Sequence, residues 1–178
     1  MTDLLADSSF YICFLDNIKS PENLIKILEK FSSSFPPVIF SEVKKSKRSK
    51  EIFENKKLNI NIFEGEIHIS EVLRPFFSIE QKERGEHELI VLAFICYNMK
   101  MKFELVIDDK QARNFIKRNL IYLSKNLKDT INFLCDCYSV YGIFKKEEVL
   151  DIFNLIENSN YGVKKEIMFE AKKKMRCN

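Results

Sequence analysis

The chain has 178 residues, 46% of them apolar and sixteen of them Phe, enough to bury a sizeable core without a disulfide or metal staple. Only four Gly and four Pro argue against a loop-rich β-sandwich and against disorder. A net charge of +3 identifies no partner by itself. The five Cys are odd in number and mostly set among apolar neighbours, as in Ile12-Cys13-Phe14, and read as free thiols of a reducing compartment. The start of the chain lacks a basic region and a cleavage site, and the apolar run at 89–97 is far below the roughly 20 residues that span a bilayer. The expectation is a cytoplasmic protein with no membrane partner.

In chain order, Leu4-Leu5-Ala6 predicts a short buried strand ending at Asp7, with Ser8 capping a helix through about Asn17. Ser20-Pro21-Glu22 opens a second helix, with Leu24, Ile27, Leu28 and Phe31 on one face. Pro36 and Pro37 break the pattern and lead into a Pro-initiated helix carrying Glu42. Residues 44–57 are polar, and Leu58-Asn59-Ile60-Asn61-Ile62-Phe63 alternates as a half-buried strand does. Gly85 precedes a helix to about Lys100, Phe103-Glu104-Leu105-Val106-Ile107 is a strand, and Asp108 and Asp109 sit at its carboxyl end. A helix through Arg118, a short strand from Leu120 to Leu123, and helices near 127–141, 145–157 and 163–175 complete the chain. Strands separated by helices predict an α/β fold, a small parallel sheet flanked by helices on both faces. Residues 1–142 form the main domain and 143–178 a helical extension packed on it.

Acids cluster at the predicted strand ends and helix starts: Asp7, Asp108 and Asp109, with Glu86 or Glu88 opening a helix and Glu42 following an apolar segment. Open α/β sheets place their sites at strand carboxyl ends. Carboxylates gathered there repel one another unless a cation sits among them, and hard oxygen ligands suit Mg²⁺ or Mn²⁺. Each acid also reads as an ordinary cap. Lys44, Lys45, Lys47, Arg48 and Lys50 crowd seven residues, and Lys172, Lys173, Lys174 and Arg176 crowd the far end. Such clusters can neutralise the phosphates of RNA, although a solvated Lys-rich face is their commoner use. Cys135-Asp136-Cys137 puts two thiols at i,i+2, which diverge on a helix. His68 and His87 stand alone and read as surface or core residues.

Several of these stretches resemble one family. Leu5-Ala6-Asp7-Ser8-Ser9 is similar to the opening of PIN domains, and Val38-Ile39-Phe40-Ser41-Glu42-Val43 to their second acidic motif. Gly85-Glu86-His87-Glu88-Leu89-Ile90-Val91-Leu92-Ala93 and Leu105-Val106-Ile107-Asp108-Asp109-Lys110-Gln111-Ala112-Arg113 resemble the more specific segments of a VapC-like branch. The similarity continues through the helical tail. It implies Mg²⁺- or Mn²⁺-dependent cleavage of RNA, with Asp7, Glu42, Glu88 and Asp109 as the catalytic acids. Asp7, Glu88, Asp109 and the adjacent Asp108 would hold the metal. Ser9 would support Asp7, and Glu86 would substitute for Glu88. Lys44, Lys45, Lys47 and Arg48 would meet the RNA. A small antitoxin and homodimerisation are the partners implied. Two departures stand out: Ile107 occupies a place where the family often has Thr or Ser, and residues 55–84 form a longer stretch that reads as a lid or partner surface. Competing readings are a catalytically idle PIN-like binding module and a metal-dependent phosphohydrolase acting on small phosphoesters.

Overall fold

Parallel pairing on both sides makes β1 (Thr2–Ala6) the central strand, with β2 (Phe31–Phe35) on one flank and β4 (Phe103–Val106) on the other. The structure is a computed structural model and describes residues 2–63 and 85–177. Residues 64–84, with His68 and most of the 55–84 stretch, lie outside the described residues. β3 (Asn59–Ile62) adds outside β2, and β5 (Leu127–Lys128) outside β4, in the order β3-β2-β1-β4-β5. The result is an all-parallel, five-stranded α/β sheet flanked by helices. The chain lays down β1, β2 and β3 in one direction across the sheet, then returns to place β4 beside β1. A crevice forms at the carboxyl ends of the two strands where the order reverses, here β1 and β4.

Among the described residues the α-helices are α1 (Ser8–Ile12), α2 (Pro21–Leu28), α3 (Pro37–Lys44), α4 (Lys50–Phe53), α5 (Gly85–Asn98), α6 (Lys110–Asn119), α7 (Thr130–Ser139), α8 (Lys146–Glu157) and α9 (Lys165–Cys177). One cluster of buried apolar side chains runs from Leu4 and Leu5 of β1 to Phe153 of α8 and Met175 of α9. No helix among the described residues is long and apolar enough to cross a membrane. Pro37 at the first turn of α3 supplies the fixed φ a helix start needs, as its position in the sequence predicts. At Gly85 a Cβ would lie 2.4 Å from Ile39 Cδ1, so the missing side chain lets α5 begin hard against α3.

Four local expectations need correction. The first helix is capped by Asp7 rather than Ser8, and after one α turn it widens into a π turn, Cys13–Asn17. There Ile18 N donates to Cys13 O at 2.9 Å. Phe31 does not continue the apolar face of α2; it begins β2, whose Phe-Ser-Ser-Ser-Phe sequence carries no obvious strand pattern. Burial of Ser34 is tolerated because it donates to the Asp3 carboxylate at 3.1 Å, whereas the Ser33 hydroxyl is buried with no hydrogen-bond partner among the described residues. Phe31 and Phe35 supply the burial, each on the order of 2–3 kcal/mol, with the Phe35 ring 4.6 Å from that of Tyr11. Leu120 to Leu123 is not a strand. Ile121–Leu123 is a 3₁₀ turn, and the fifth strand comes later, at Leu127–Lys128.

Candidate functional site

Where β1 leaves the sheet, Asp7 adopts an extended backbone, and its Oδ1 accepts from Phe10 N at 3.0 Å, which starts α1. Its Oδ2 accepts from Asp108 N at 2.7 Å, and its own N donates to Val106 O at 2.9 Å. Asp7 therefore joins the ends of β1 and β4 across the crevice. The side chain is buried, with 5% of the residue exposed. Loss of water is the main reason its pKa rises from the ordinary carboxylate range to about 7. The charge of Asp108 adds to the rise, that of Glu86 adds a little more, and the two backbone hydrogen bonds oppose it.

Asp108 is held from the other side. Its Oδ1 accepts from Thr130 N at 2.9 Å, and its Oδ2 accepts from Thr130 Oγ1 at 2.6 Å and from the Tyr161 hydroxyl. Tyr161 reaches in from the connection between α8 and α9. Burial and the charge of Asp108 push its phenol pKa far up, so Tyr161 stays protonated and donates. Arg113 of α6 clamps the same turn through Nη1, which donates to Ile107 O and Asp108 O at 2.9 Å each. Asp109 caps α6, accepting from Ala112 N at 2.6 Å, and remains exposed. Asp129 caps α7 in the same way at the end of β5, accepting from Asn132 N at 2.9 Å.

An open cavity of about 850 Å³ lies over these ends. Ser9, Glu86, Asp108, Asp109 and Asp129 line its acidic side, and Tyr161 forms part of its wall. The π turn brings Asn17 to the same cavity as Ser9 and Ile12. A residue five positions after Ile12 returns to its side of the helix only because the turn is wider than an α turn.

The other acids expected from the sequence sit differently. Glu88 is 4% exposed, and its Oε2 accepts from Val38 N at 2.8 Å, capping the first turn of α3. Glu86, two residues earlier, is the one that lines the cavity and acts on Asp7. Glu42 lies one helical turn beyond Val38, half-buried, and is not among the cavity's lining residues. The structure thus places Glu86, Asp108 and Asp109 on one cavity and bonds Asp7 to Asp108, whereas Asp7 is not among the cavity's lining residues and Glu88 of α5 is engaged with the start of α3. Sequence reading missed Asp129 and Tyr161. Asp129 follows the pattern of Asp7 and Asp109, an acid after a strand and before a helix, but was hidden by the misplaced fifth strand. A tyrosine in a connection between helices gives no comparable signal.

Lys44, Lys45, Lys47 and Arg48 lie at the end of α3 and before α4, and none of them lines this cavity. Lys45, Lys47 and Arg48 line a separate hollow with Asp16 and Lys19, and Arg48 Nη1 donates to Lys19 O at 2.9 Å. Lys44 Nζ lies 5.4 Å from the centre of the Phe40 ring. Among the described residues, no group of three or more His, Cys, Asp or Glu side chains is arranged to hold a metal ion. No Lys or Arg among them forms a salt bridge with Asp7, Glu86 or Asp108. No family model, no curated protein and no solved structure matches the chain.

Proposed function

We propose that the chain is a metal-dependent ribonuclease of the PIN-like type, acting through the acids at the carboxyl ends of β1 and β4. The observation that carries this reading is the hydrogen bond from Asp108 N to the buried Asp7 carboxylate at the strand-order reversal, with Glu86 adding negative charge and no Lys or Arg among the described residues forming a salt bridge with these acids. The donor set fits Mg²⁺ or Mn²⁺ in chemistry: hard oxygens, no thiol or imidazole, and a carboxylate held above its usual pKa by burial and like charge. A divalent ion bound there would supply charge for a phosphoryl oxygen and activate water for in-line attack.

The chain's own residues do the positioning. Asp7 is fixed by two backbone donors, one on each carboxylate oxygen. Asp108 is oriented by Thr130, and the exposed Asp109 faces the cavity where a phosphodiester would lie. Geometry favours Glu86 over Glu88 as the third acid, because the Glu88 carboxylate is used by Val38. Glu42 stays in the proposal through the resemblance alone, as do the antitoxin and the homodimer.

The test is cleavage of a single-stranded RNA oligonucleotide with Mn²⁺, Mg²⁺ or chelator by the parent, Asp7→Asn and Asp109→Asn. Loss of at least about 100-fold in both variants is expected, the size that follows from removing a group that stabilises developing charge. Unchanged cleavage by Asp7→Asn sinks the assignment. A second reading, an idle PIN-like module that binds RNA or protein, draws on one feature: both Asp108 oxygens already have partners in Thr130 and Tyr161. Absence of cleavage by the parent under every metal moves the conclusion there.

A further inference from the structure

Helix α6 carries Lys110, Arg113 and Lys117 at i, i+3 and i+7, which places all three on one face. That face borders the large cavity, and Lys164 joins it from the connection before α9. A second cavity of about 400 Å³ shares Arg113, Lys117 and Asp129 in its wall, so the two lie side by side along α6. The second cavity continues the basic border to Lys128 and Lys174.

These cations differ in how far they are already occupied. Lys128 is held between Glu104 and Asp136, and Arg113 bonds the carbonyls of Ile107 and Asp108. Lys110, Lys117, Lys164 and Lys174 are exposed, and none forms a salt bridge with a described carboxylate. Four ammonium groups with no salt-bridge partner among the described residues therefore line the two adjoining cavities, which begin at the acidic end of the sheet. The α6 stripe alone is about 10 Å long at 1.5 Å per residue, enough to meet more than one phosphate. Ile12, Ile131, Val163 and Ile167 also line the larger cavity and offer apolar surface to bases. The hollow at Lys45, Lys47 and Arg48 shares no lining residue with either cavity.

We propose that single-stranded RNA leaves the acidic cleft along α6 and α9, its phosphates met by Lys110, Lys117, Lys164 and Lys174, and that the cluster at Lys44, Lys45, Lys47 and Arg48 is not its path. The choice of RNA as ligand rests on the ribonuclease reading; the choice of path rests on the adjoining cavities. Each lysine that contacts a phosphate releases condensed counterions, so its loss makes binding weaker and less salt-dependent.

The experiment measures fluorescence anisotropy of a labelled twelve-nucleotide oligouridylate in chelator, where binding is separated from cleavage. The parent is compared with a Lys117→Gln, Lys164→Gln double variant and a Lys45→Gln, Lys47→Gln double variant across a salt series. Expected is at least about tenfold weaker binding by the first, with a salt slope lower by about 0.7 per lysine lost. The second should bind within about twofold of the parent. Lysine acetylation of the unaltered protein with and without RNA gives an independent reading, with Lys117, Lys164 and Lys174 protected and Lys45 and Lys47 not. Parent binding with both double variants unaffected, or RNA that protects Lys45 and Lys47 instead, overturns the path and leaves the ribonuclease reading standing. A parent that shows no salt-dependent binding to RNA removes both.

Discussion

The sheet carries two charged constellations, one joining β4 and β5 and one at the carboxyl ends of β1 and β4, and the two are balanced differently. In the first, Lys128 of β5 lies between Glu104 of β4 at 2.7 Å and Asp136 of α7 at 2.5 Å, while the Tyr141 hydroxyl donates to Glu104. In the second, Asp7, Asp108 and Glu86 meet without a Lys or Arg partner among the described residues. Among the described residues, partly buried carboxylates are thus neutralised by a lysine in the first constellation and not in the second. Acids compensated from within hold the fold together, whereas at the strand ends burial, and then the neighbouring acids, raise the pKa of Asp7 instead.

The largest stability effect should come from breaking the balanced cluster. Lys128→Met leaves Glu104 and Asp136 partly buried and facing no cation, and should cost roughly 3 kcal/mol in urea unfolding. A loss under about 0.5 kcal/mol would erase the contrast between the two clusters.

Next comes the pH response of the unbalanced site. The Asp7 carboxyl titrates near 7 when folded and near its ordinary 3.8 when unfolded. Between these values the folded protein holds a proton that the unfolded chain has released, so stability should fall as pH rises from about 4 to about 7. Chelator-treated protein should melt several degrees lower at pH 7.5 than at pH 5. Asp7→Asn should flatten that slope, and Mn²⁺ at pH 7.5 should raise the melting temperature of the parent but not of the variant. A parent whose slope survives Asp7→Asn unchanged would locate the effect elsewhere.

The smallest effect belongs to Tyr161→Phe, which removes one hydrogen bond to Asp108 and should cost about 1 kcal/mol. If Asp108 serves the site, the same change leaves its Oδ2 with Thr130 Oγ1 as its remaining donor and tightens Mn²⁺ binding measured by calorimetry. Weaker binding would make Tyr161 a support of the site rather than a competitor for it.

Much of this frame is readable from the sequence because local rules and tertiary position agree. Leu4-Leu5-Ala6 is an apolar run in a central strand, and Pro37 starts a helix where Pro belongs. β2 was hidden because its middle is three serines, and only the nearby Asp3 makes burial of Ser34 acceptable. β5 was hidden because two residues are too few to alternate, while Leu120-Ile121-Tyr122-Leu123 looks more strand-like than it is. At the site, acids ending strands were legible as a pattern. Which of Glu86 and Glu88 turns toward the cavity was not, since that depends on how closely Gly85 lets α5 approach α3. The α6 stripe was present in the spacing of Lys110, Arg113 and Lys117, but the denser cluster at Lys44, Lys45, Lys47 and Arg48 drew the eye first.

The bond between Tyr161 and Asp108 joins residues 53 positions apart and ties the connection between α8 and α9 to the end of β4. Any ligand that takes the Asp108 oxygen from that phenol loosens the connection, and by thermodynamic reciprocity any partner that grips the connection alters the affinity of the acids for that ligand by the same factor. The carboxyl-terminal helices are in that sense a handle on the cleft, through which events on the outer surface can be felt at the floor.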